Sequence, residues 1–482
     1  MLLSEMTREY QGVLACSGDA EVQGLCYDSR KVKPGDLYFC LPGVRADGHS
    51  FAAQAKEKGA CALVVQRKLD VDLPQVLVED SRHAMSCLAQ SFYGHPARSM
   101  IMVGITGTKG KTTSAYMIGA IARMAGHKVG LIGTVCTMIG EETYEATLTT
   151  PESVELQKLL ADMRDKGCTL CVMEVSAHAL AQKRLAGMHY DAALYTNLSQ
   201  DHLDYFGDMD SYRRAKEEFF TPAYTDRAIV NMDDDSSVHM IDKGVPVTGF
   251  GVAVATDAAA REIEICENGV SYELDWKGLE VQLNLQLSGI FNVYNSMGAA
   301  VTCLELGMSF QAVKQGLESM RVVPGRIEAL RTNTPYKVIL DYAHSPAALE
   351  NVLETVRQFT AGRLICVFGC GGGRDKEKRP IMGEIAGRLA DYSILTSDNP
   401  RYEDPMEILE AIETGIAQRN SPYEIIENRR EAIRHALKIA QKGDVIVLAG
   451  KGHETYQEVK GVKKPFDEKV VVFELLQEMG LD

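Results

Sequence analysis

Residues 106–113, TGTKGKTT, combine glycines, a lysine and threonines in the spacing of a loop that binds phosphate. Gly107 and Gly110 allow the backbone N–H groups to approach phosphate oxygens closely. Lys111 supplies a positive charge to the β- and γ-phosphates of a nucleotide, and the hydroxyl of Thr112 can ligate Mg²⁺. The full pattern of such loops has a further glycine five residues before Gly110, where this chain has an isoleucine. The segment therefore predicts a nucleotide-binding loop, with a plain glycine turn before a helix as the alternative.

Apolar runs on both sides place this loop in a βαβ unit. Residues 100–105 (MIMVGI) have the length and β-branched content of a buried parallel strand. Residues 112–125 carry apolar side chains at helical spacing, Gly126 ends the predicted helix, and residues 128–134 (KVGLIGT) have the composition of the next strand. A glycine loop at the first turn of such a unit directs its N–H groups, and the N-terminus of the helix, toward a bound anion.

The composition indicates a large, acidic, globular protein. A length of 482 residues predicts about three domains, and a hydrophobic content of 45% is ordinary for chains with sizeable cores. The formal net charge of −15 argues against nucleic acid or an anionic membrane surface as a partner. Because the sequence shows no signal peptide and no long uncharged apolar run, we expect a soluble, cytoplasmic protein. We also expect it to be a monomer. Cysteines lack a framework spacing, and the pair Cys168 and Cys171 begins an apolar run, so no redox or zinc role is predicted for it.

We predict a first domain in residues 1–95. Residues 36–41 (DLYFCL) and 61–66 (CALVVQ) are predicted strands, with a helix between them. The polar stretch 27–30 (YDSR) is, taken alone, typical of a solvated turn. Residues 93–99 (YGHPARS) have the glycine, proline and polar content of a linker to the next domain.

Residues 96–327 are predicted to form the domain that contains the glycine loop. Three further strand candidates follow the βαβ unit, and each ends in polar residues: 168–176, 192–198 and 228–232. In an open α/β sheet, ligands gather at the carboxyl ends of the strands. Glu174 and His202, in and after two of these strand ends, are therefore expected to face the same phosphates as Thr112. Alternating residues between 246 and 288 predict an antiparallel section.

The pattern restarts in residues 328–482, which predict another doubly wound α/β domain without a phosphate loop. Its predicted strands cover 337–342, 364–368, 392–396 and 444–449, and its predicted helices cover 346–359, 378–390, 405–417 and 428–441. Glycines and charged residues follow the strands, in the segments DYAHSP, GCGGGRDKEKRP, SDNPRYED and AGKGHE. Such strand ends predict a site for a small, charged ligand.

These segments together resemble the Mur ligase family along essentially the whole chain. Each segment alone is weak evidence, but their number and order are specific. In chain order they are TGTKGKTT, TTPE (149–152), EVSAHALAQKR (174–184), TNLSQDHLDYFG (196–207), AKEEFF (215–220), GIFNVYN (289–295), PGRIE (324–328), DYAHSP (341–346), GGRDKEKRP (372–380), DNPR (398–401) and GKGHE (450–454).

The resemblance implies an α/β protein of three domains. A small N-terminal α/β domain (1–95) would bind the UDP part of the substrate, a central P-loop mononucleotide-binding domain (96–327) would bind ATP, and a C-terminal Rossmann-like domain (328–482) would bind an amino acid. The implied activity is an ATP- and Mg²⁺-dependent ligation in peptidoglycan precursor synthesis. It adds meso-diaminopimelate to the γ-carboxylate of D-glutamate in UDP-N-acetylmuramoyl-L-alanyl-D-glutamate, through an acyl phosphate.

Three alternatives stay open from the sequence. The same ligase could use L-lysine. Another Mur ligase or an enzyme like folylpolyglutamate synthetase is a second alternative, against which the N-terminal domain and the DNPR segment speak. A P-loop switch that binds ATP without ligation is a third, from a different class, and it would not need the charged strand ends of the third domain.

The loop and the resemblance together imply the site residues. Those for ATP are Gly107, Thr108, Lys109, Gly110, Lys111, Thr112, Thr113, Asn292, Asn295, Arg326 and Asp341. Those for the divalent metal are Thr112, Glu174, His202 and Lys216, the last as a carbamate. Those for the UDP-sugar-peptide are Ser29, Thr149, Thr150, Ser176, Gln182 and Arg184. Those for the diamino acid are Arg374, Asp398, Asn399, Pro400, Arg401, Gly450 and Glu454.

Four residues are expected to take part in the chemistry, namely Lys111, Lys216, His202 and His344. An attacking amine must be neutral, so a base is required near it, and His344 is the candidate. Without the resemblance, the sequence around Lys216, where two glutamates follow the lysine, indicates an ordinary solvated helix face.

Overall fold

Three helix-flanked β-sheets and a β-hairpin organise the part of the chain that the computed structural model describes, residues 1–43, 46–266 and 269–481. The α/β class predicted from the sequence is confirmed. Within the described residues, no helix is long and apolar enough to cross a membrane.

The first sheet has the strand order β1-β5-β4-β3-β2, parallel except for the β1–β5 pair. Its strands are β1 (Val13–Cys16), β2 (Gly24–Cys26), β3 (Asp36–Phe39), β4 (Ala62–Val65) and β5 (Gln75–Val78), and its helices are α1 (Leu3–Thr7), α2 (Ala52–Glu57) and α3 (Ser81–Phe92). The two predicted strands and the helix between them are confirmed as β3, β4 and α2. Strands β3 and β4 are fully buried, so their apolar runs could be recognised in the sequence. Strand β1, by contrast, is largely exposed.

The central sheet has the order β16-β15-β14-β13-β12-β11-β6-β10-β7-β8-β9. Its strands are β6 (Ile101–Thr106), β7 (Val129–Ile132), β8 (Cys136–Ile139), β9 (Glu142–Glu145), β10 (Leu170–Glu174), β11 (Ala192–Tyr195), β12 (Ala228–Asn231), β13 (Val247–Gly251), β14 (Ala258–Cys266), β15 (Gly269–Trp276) and β16 (Leu279–Leu285). Its helices are α4 (Lys111–Met124), α5 (Ser153–Asp165), α6 (Ala177–Ala181), α7 (Leu203–Phe206), α8 (Met209–Glu217), α9 (Ile290–Glu305) and α10 (Phe310–Ser319).

Strand β6 lies in the middle of this sheet, between β10 and β11, and all three run parallel. The glycine loop therefore leaves the sheet between the ends of the two strands that carry the other predicted polar groups. The βαβ unit is confirmed in β6, α4 and β7. The predicted antiparallel section is confirmed in β14, β15 and β16, while β13 pairs in parallel with β12.

The third sheet has the order β17-β18-β22-β19-β20-β21, parallel except for the β17–β18 pair. Its strands are β17 (Glu328–Ala329), β18 (Lys337–Asp341), β19 (Leu364–Phe368), β20 (Tyr392–Leu395), β21 (Tyr423–Ile425) and β22 (Val445–Ala449), followed by the hairpin of β23 (Tyr456–Val459) and β24 (Val462–Pro465). Its helices are α11 (Pro346–Arg357), α12 (Lys378–Leu389), α13 (Pro405–Ile416), α14 (Arg429–Ile439) and α15 (Glu468–Glu478). The four strands and four helices predicted for this region are confirmed; β17, β21, the hairpin and α15 were not predicted.

Candidate active site

The glycine loop is held by the segment that follows β11. Thr108 N donates to Asn197 O at 2.8 Å, and the Thr196 hydroxyl donates to Lys109 O at 2.7 Å. Gly107 and Gly110 have φ of +148° and +86°, and a Cβ on Gly107 would lie 1.9 Å from Thr196 Oγ1. Glycine is therefore required at position 107 both for its backbone conformation and for its contact with the neighbouring strand end.

The contact between Gly107 and Thr196 allows us to predict the effect of Gly107→Ala. The added methyl group must displace Thr196 and the loop with it, so we expect ATP affinity to fall by about 100-fold, the equivalent of one or two lost hydrogen bonds to a charged phosphate. The measurement is ATP binding by calorimetry.

Gly126→Ala is the matched control. Gly126 also has a positive φ, +89°, but no atom lies within 4 Å of its added Cβ. We expect this variant to lose about 1 kcal/mol of folding stability and to bind ATP normally. Equal ATP affinity in the two variants would contradict the steric role of Gly107.

Lys111 begins α4, and its ammonium donates to the carbonyl oxygens of Gly107 and Thr108, both at 2.9 Å. Burial lowers the pKa of Lys111 to about 8. Beside it, Lys109 Nζ lies 3.2 Å from Asp201 Oδ2. The loop thus contributes two amines to this region, one against its own backbone and one paired with Asp201, and such a region suits an anion.

Glu174 and His202 line one cavity of about 270 Å³ together with Lys111 and Thr112, as the strand-end argument predicted. Glu174 ends β10 and is buried, where both carboxylate oxygens accept hydrogen bonds at 2.9 Å from Thr134, one from its N–H and one from its hydroxyl. Burial lowers the pKa of His202 to about 4. Its imidazole is therefore neutral near pH 7 and keeps a lone pair that can bind a metal or accept a proton.

Lys216 on α8 is buried, with 1% of its surface exposed. Its Nζ donates to Gly107 O at 2.9 Å and lies 4.4 Å from the centre of the Tyr212 ring. The solvated-face interpretation of this lysine is therefore wrong. Burial, reinforced by the charge of Lys111, lowers the pKa of Lys216 well below its ordinary value.

The oxygen donors of this cavity fit a small hard cation. Thr112 offers a hydroxyl and Glu174 a carboxylate, and Mg²⁺ prefers such ligands. Among the residues that the structure describes, no group of three or more His, Cys, Asp or Glu side chains is arranged to hold a metal. The predicted set contains only two side chains of those types, Glu174 and His202, because its other members are a hydroxyl and an amine.

A second cavity, of about 180 Å³, adjoins the first and shares Lys109, Gly110, Thr112 and Arg326 with it. All the residues predicted around the adenine and ribose line it, namely Asn292, Asn295, Arg326 and Asp341. Both oxygens of Asp341 accept backbone hydrogen bonds, from Ile327 at 2.8 Å and Ala343 at 2.7 Å. Sequence reasoning missed the apolar part of its wall, which includes Phe250, Leu287, Phe291, Val323 and Val352, because apolar residues of a pocket and of a core look alike in a sequence.

The strand ends of the third sheet face the glycine loop across the first cavity. Its lining includes nearly every residue predicted for the diamino acid, namely Arg374, Asp398, Asn399, Arg401, Gly450 and Glu454. Pro400 lies in the same turn but is not among the lining residues. Asn399 Nδ2 donates to Glu454 Oε2 at 2.8 Å, and Arg401 donates to Gly372 O at 2.7 Å.

Most residues predicted for the UDP-sugar-peptide form a connected group beside Glu174. Thr149 and Ser176 line the cavity, and the Thr150 hydroxyl donates to Glu174 O at 2.8 Å. Arg184 donates to Thr150 O at 2.8 Å and to the side-chain oxygen of Gln182 at 2.7 Å. Ser29 lies apart in the first domain, where its hydroxyl bonds Gln54 at 2.9 Å.

His344 also lines the first cavity, and its Nδ1 lies 2.8 Å from Tyr342 O. Because a carbonyl only accepts, Nδ1 carries the proton and Nε2 the lone pair. Burial and the charges of Lys109 and Lys378 lower the pKa of His344 well below its ordinary value. Sequence reasoning gave no role to Asp201 or Lys378, although both lie in segments that carry the resemblance; the ammonium of Lys378 donates to His344 O at 2.7 Å.

The fold and this site define an α/β enzyme that binds a nucleotide at a P-loop, beside a pocket for a charged second ligand. Comparison with known proteins gives the same answer. Residues 21–93 match the catalytic domain of the Mur ligase family, residues 105–303 the Mur ligase middle domain, and residues 325–452 the Mur ligase glutamate ligase domain. The chain belongs to the Mur ligase family.

Individual relatives agree with this assignment. The UDP-N-acetylmuramoyl-L-alanyl-D-glutamate–2,6-diaminopimelate ligase of Geobacillus thermodenitrificans is 45% identical over 464 residues, which cover 94% of each chain. A solved structure of a ligase with the same name is 30% identical, with a TM-score of 0.68 and 95% of each chain covered. The MurF ligase from Thermotoga maritima in complex with ADP shares the fold, at 20% identity and a TM-score of 0.65, over 95% of this chain and 97% of that one.

Proposed function

We propose that this chain ligates meso-diaminopimelate to the γ-carboxylate of D-glutamate in UDP-N-acetylmuramoyl-L-alanyl-D-glutamate, with ATP as the energy source, in peptidoglycan precursor synthesis. The observation that carries the proposal is the single cavity shared by the glycine loop, Glu174 and His202, and the arginines and carboxylates of the third sheet. The relatives named for this activity support it over nearly the full chain.

The proposed reaction has two steps, and its first step brings together two anions, the γ-carboxylate of D-glutamate and the γ-phosphate of ATP. The γ-carboxylate attacks the γ-phosphate of ATP to give an acyl phosphate and ADP, and the amine then attacks the acyl carbon and releases phosphate. In the first step Lys111 offsets the charge on the transferring phosphoryl group, while the loop N–H groups hold the phosphates in place. Before the second step the ammonium of the amino acid must lose a proton, and Nε2 of His344 is the proposed acceptor, which leaves a neutral amine to attack the acyl carbon.

Thr112, Glu174, His202 and a carbamylated Lys216 would hold the divalent cation. When bound, Mg²⁺ supplies positive charge that lowers the repulsion between carboxylate and phosphate. This assignment is supported by the oxygen donors of the cavity and by the burial of Lys216 next to the loop.

The surroundings of Lys216 support the proposed carbamate, which the family resemblance implies. An ammonium at this position is buried beside the amine of Lys111, which is an unfavourable place for a second cation. Reaction of the neutral amine with CO₂ forms an N–C bond, releases one proton and leaves an anion. The carbamate oxygens then attract the cation and the neighbouring lysine.

Lys216→Ala is therefore expected to lower kcat by about 10²- to 10³-fold, as removal of a group that organises transition-state charge does, while ATP affinity changes little. Arg214→Ala, an exposed position on the same helix, is the control and should remain active. The carbamate itself is measured by ¹³C NMR after incubation with ¹³C-bicarbonate. An unmodified ammonium in a liganded, metal-bound crystal structure would contradict the assignment.

The function is tested by phosphate release from ATP. We expect release only when both UDP-N-acetylmuramoyl-L-alanyl-D-glutamate and diaminopimelate are present. ATP turnover that is indifferent to both would favour the P-loop switch, and turnover with L-lysine in place of diaminopimelate would favour the lysine-adding ligase.

We also propose how the regions divide this work. Residues 1–95 bind the UDP part, residues 96–327 bind ATP, and residues 328–482 present the amino acid, which is supported by the separate sheets of the three regions. We further propose that the protein acts as a monomer in the cytoplasm. The net charge of −15 supports the proposal that it binds neither nucleic acid nor an anionic membrane surface.

A further inference from the structure

A buried ion pair lies directly beneath the proposed amino-acid pocket. Arg429 is the first residue of α14 and Glu468 the first residue of α15, and the side chains of both are fully buried. Arg429 Nε donates to Glu468 Oε1 at 2.7 Å, and Arg429 NH2 donates to Ala449 O at 2.8 Å. The guanidinium thus joins two helices to the carboxyl end of β22, where Gly450 follows.

The third nitrogen of this guanidinium lies near Asp398, a residue that lines the pocket. Arg429 NH1 lies 4.0 Å from Asp398 Oδ2. A Cβ on Gly450, whose φ is +116°, would lie 2.6 Å from the same Asp398 oxygen. Asp398 Oδ1 accepts from Asn399 N at 2.7 Å, so one carboxylate oxygen is held by the backbone and the other lies between Arg429 and Gly450.

The cluster of Arg429, Asp398 and Glu468 contains buried polar atoms that have no hydrogen-bond partner in the described part of the chain, so stability alone does not explain it. Within the described residues, Arg429 NH1, Asp398 Oδ2 and Glu468 Oε2 are buried and have no hydrogen-bond partner. A buried ion pair is a weak source of stability, because desolvation of the charges offsets their attraction. A cation at a helix N-terminus is also unfavourable to the helix dipole. Asp398 is the member of this cluster that also lines the cavity, so the buried ion pair can affect a bound ligand through this carboxylate.

We propose that Arg429, held by Glu468, is a positioning residue that orients Asp398 and the backbone at Gly450 toward the distal ammonium of the incoming amino acid. The inference rests on the proposed function. It extends that function to two residues that lie outside the cavity lining and act through Asp398 and the end of β22. Lys451 Nζ, next to Gly450 in the chain, donates to Asn399 Oδ1 at 3.1 Å and to Glu454 Oε2 at 3.2 Å.

The test compares two substrates that differ only in the distal amine. Meso-diaminopimelate has it, and 2-aminopimelate lacks it while keeping both carboxylates and the attacking amine. Arg429→Lys keeps the positive charge, but a single ammonium cannot reproduce the planar guanidinium that contacts Glu468, Ala449 and Asp398 from three nitrogens. We expect Arg429→Lys to lower kcat/KM for diaminopimelate by about 10- to 100-fold, mainly because KM rises. This is the range seen when a group that holds a functional residue in place is removed. The values for 2-aminopimelate should stay within about 3-fold, since no ammonium is there to be positioned.

Arg363→Lys is the matched control. Arg363 also pairs with a buried carboxylate, Asp444 at 2.8 Å, but at the opposite end of the same sheet, and it should leave the preference for diaminopimelate unchanged. Glu468→Gln is the second variant: it keeps an acceptor for Arg429 Nε but removes the charge, and a reduced preference is expected for it as well.

The outcomes separate this inference from the proposed function. If the native enzyme makes no product from diaminopimelate, the proposed function fails and the inference with it. The native enzyme can instead prefer diaminopimelate over 2-aminopimelate. In that case the positioning role alone is overturned if Arg429→Lys lowers kcat/KM for the two substrates equally, or leaves both values unchanged. If Arg429→Lys does not fold, an unchanged preference in Glu468→Gln overturns it.

Discussion

The Lys111→Ala variant is expected to form no measurable ligation product while it remains folded. Lys111 Nζ lies within the glycine loop, bonded at 2.9 Å to the carbonyl oxygens of Gly107 and Thr108. A nucleotide γ-phosphate bound at the loop brings its oxygens to this ammonium, which then offsets the charge that develops during phosphoryl transfer. Loss of a charge placed for the transition state costs at least about 10³-fold in kcat.

The fold should survive because the loop has other anchors. Thr196, Asn197 and the backbone of Thr108 connect it to the end of β11 without the lysine. Product formation is measured by chromatography of the nucleotide-linked peptide, and folding by circular dichroism and thermal unfolding.

Lys128→Ala is the control for Lys111→Ala. Lys128 precedes β7, at the end of the strands opposite the glycine loop, and its ammonium donates to Lys166 O at 2.6 Å. Its loss should therefore leave kcat unchanged. A folded Lys111→Ala variant with most of the native ATP-dependent activity would contradict the role of the loop.

Local patterns were enough to predict the elements that surround the loop. The apolar run before Gly107, the helical spacing after it and the glycine that ends the helix all act within a few residues, and the structure places β6, α4 and β7 there. The rule that ligands gather at the carboxyl ends of parallel strands then brought Glu174 and His202 into the same cavity.

Elements without such local signals were missed. The strands β9 and β24 are exposed along their whole length, so they have no buried face to produce an alternating pattern. Helix α15 contains the run VVVF, whose β-branched residues resemble a strand, and its helical state is set by packing of Val472 and Leu475 against the third sheet.

Long-range contacts explain the rest of what the sequence could not provide. Lys216 reaches Gly107 across 109 positions of chain, and nothing in the charged residues next to it indicates that it is buried. Arg429 stands in the segment NRREAIRH, which is typical of a helix surface, yet it is fully buried. Only the tertiary arrangement of α14, α15 and β22 shows what these cations contact.

The native enzyme is expected to prefer meso-diaminopimelate over L-lysine by a factor on the order of 10⁴, because a pocket built around a charge is left with that charge unpaired by an analogue that lacks it. The two amino acids differ by one distal carboxylate. Arg374 and Arg401 line the cavity from adjacent strand ends, and a guanidinium can bind a carboxylate through two parallel hydrogen bonds, which a lysine cannot do.

Arg401 is built into the site rather than left on the surface. Its φ is +52°, a conformation that is uncommon for a side chain of this size and that occurs at ligand sites. The backbone is held there by its N–H, which donates to Glu458 O at 3.1 Å, and NH1 is fixed on Gly372 O at 2.7 Å. One edge of the guanidinium is thus anchored, so the carboxylate would meet a fork whose orientation is already set.

Arg401→Ala should therefore remove most of the discrimination. We expect kcat/KM for diaminopimelate to fall by at least about 10²-fold, while the value for L-lysine changes little, because lysine has no carboxylate to lose a partner. Arg388→Ala, which removes an arginine from the surface of α12, controls for the loss of a guanidinium elsewhere in the domain and should discriminate as the native enzyme does. Equal kcat/KM values for the two amino acids in the native enzyme would exclude a carboxylate-selective pocket. An Arg401→Ala variant that still discriminates would move that selectivity to Arg374, the other guanidinium on the cavity wall.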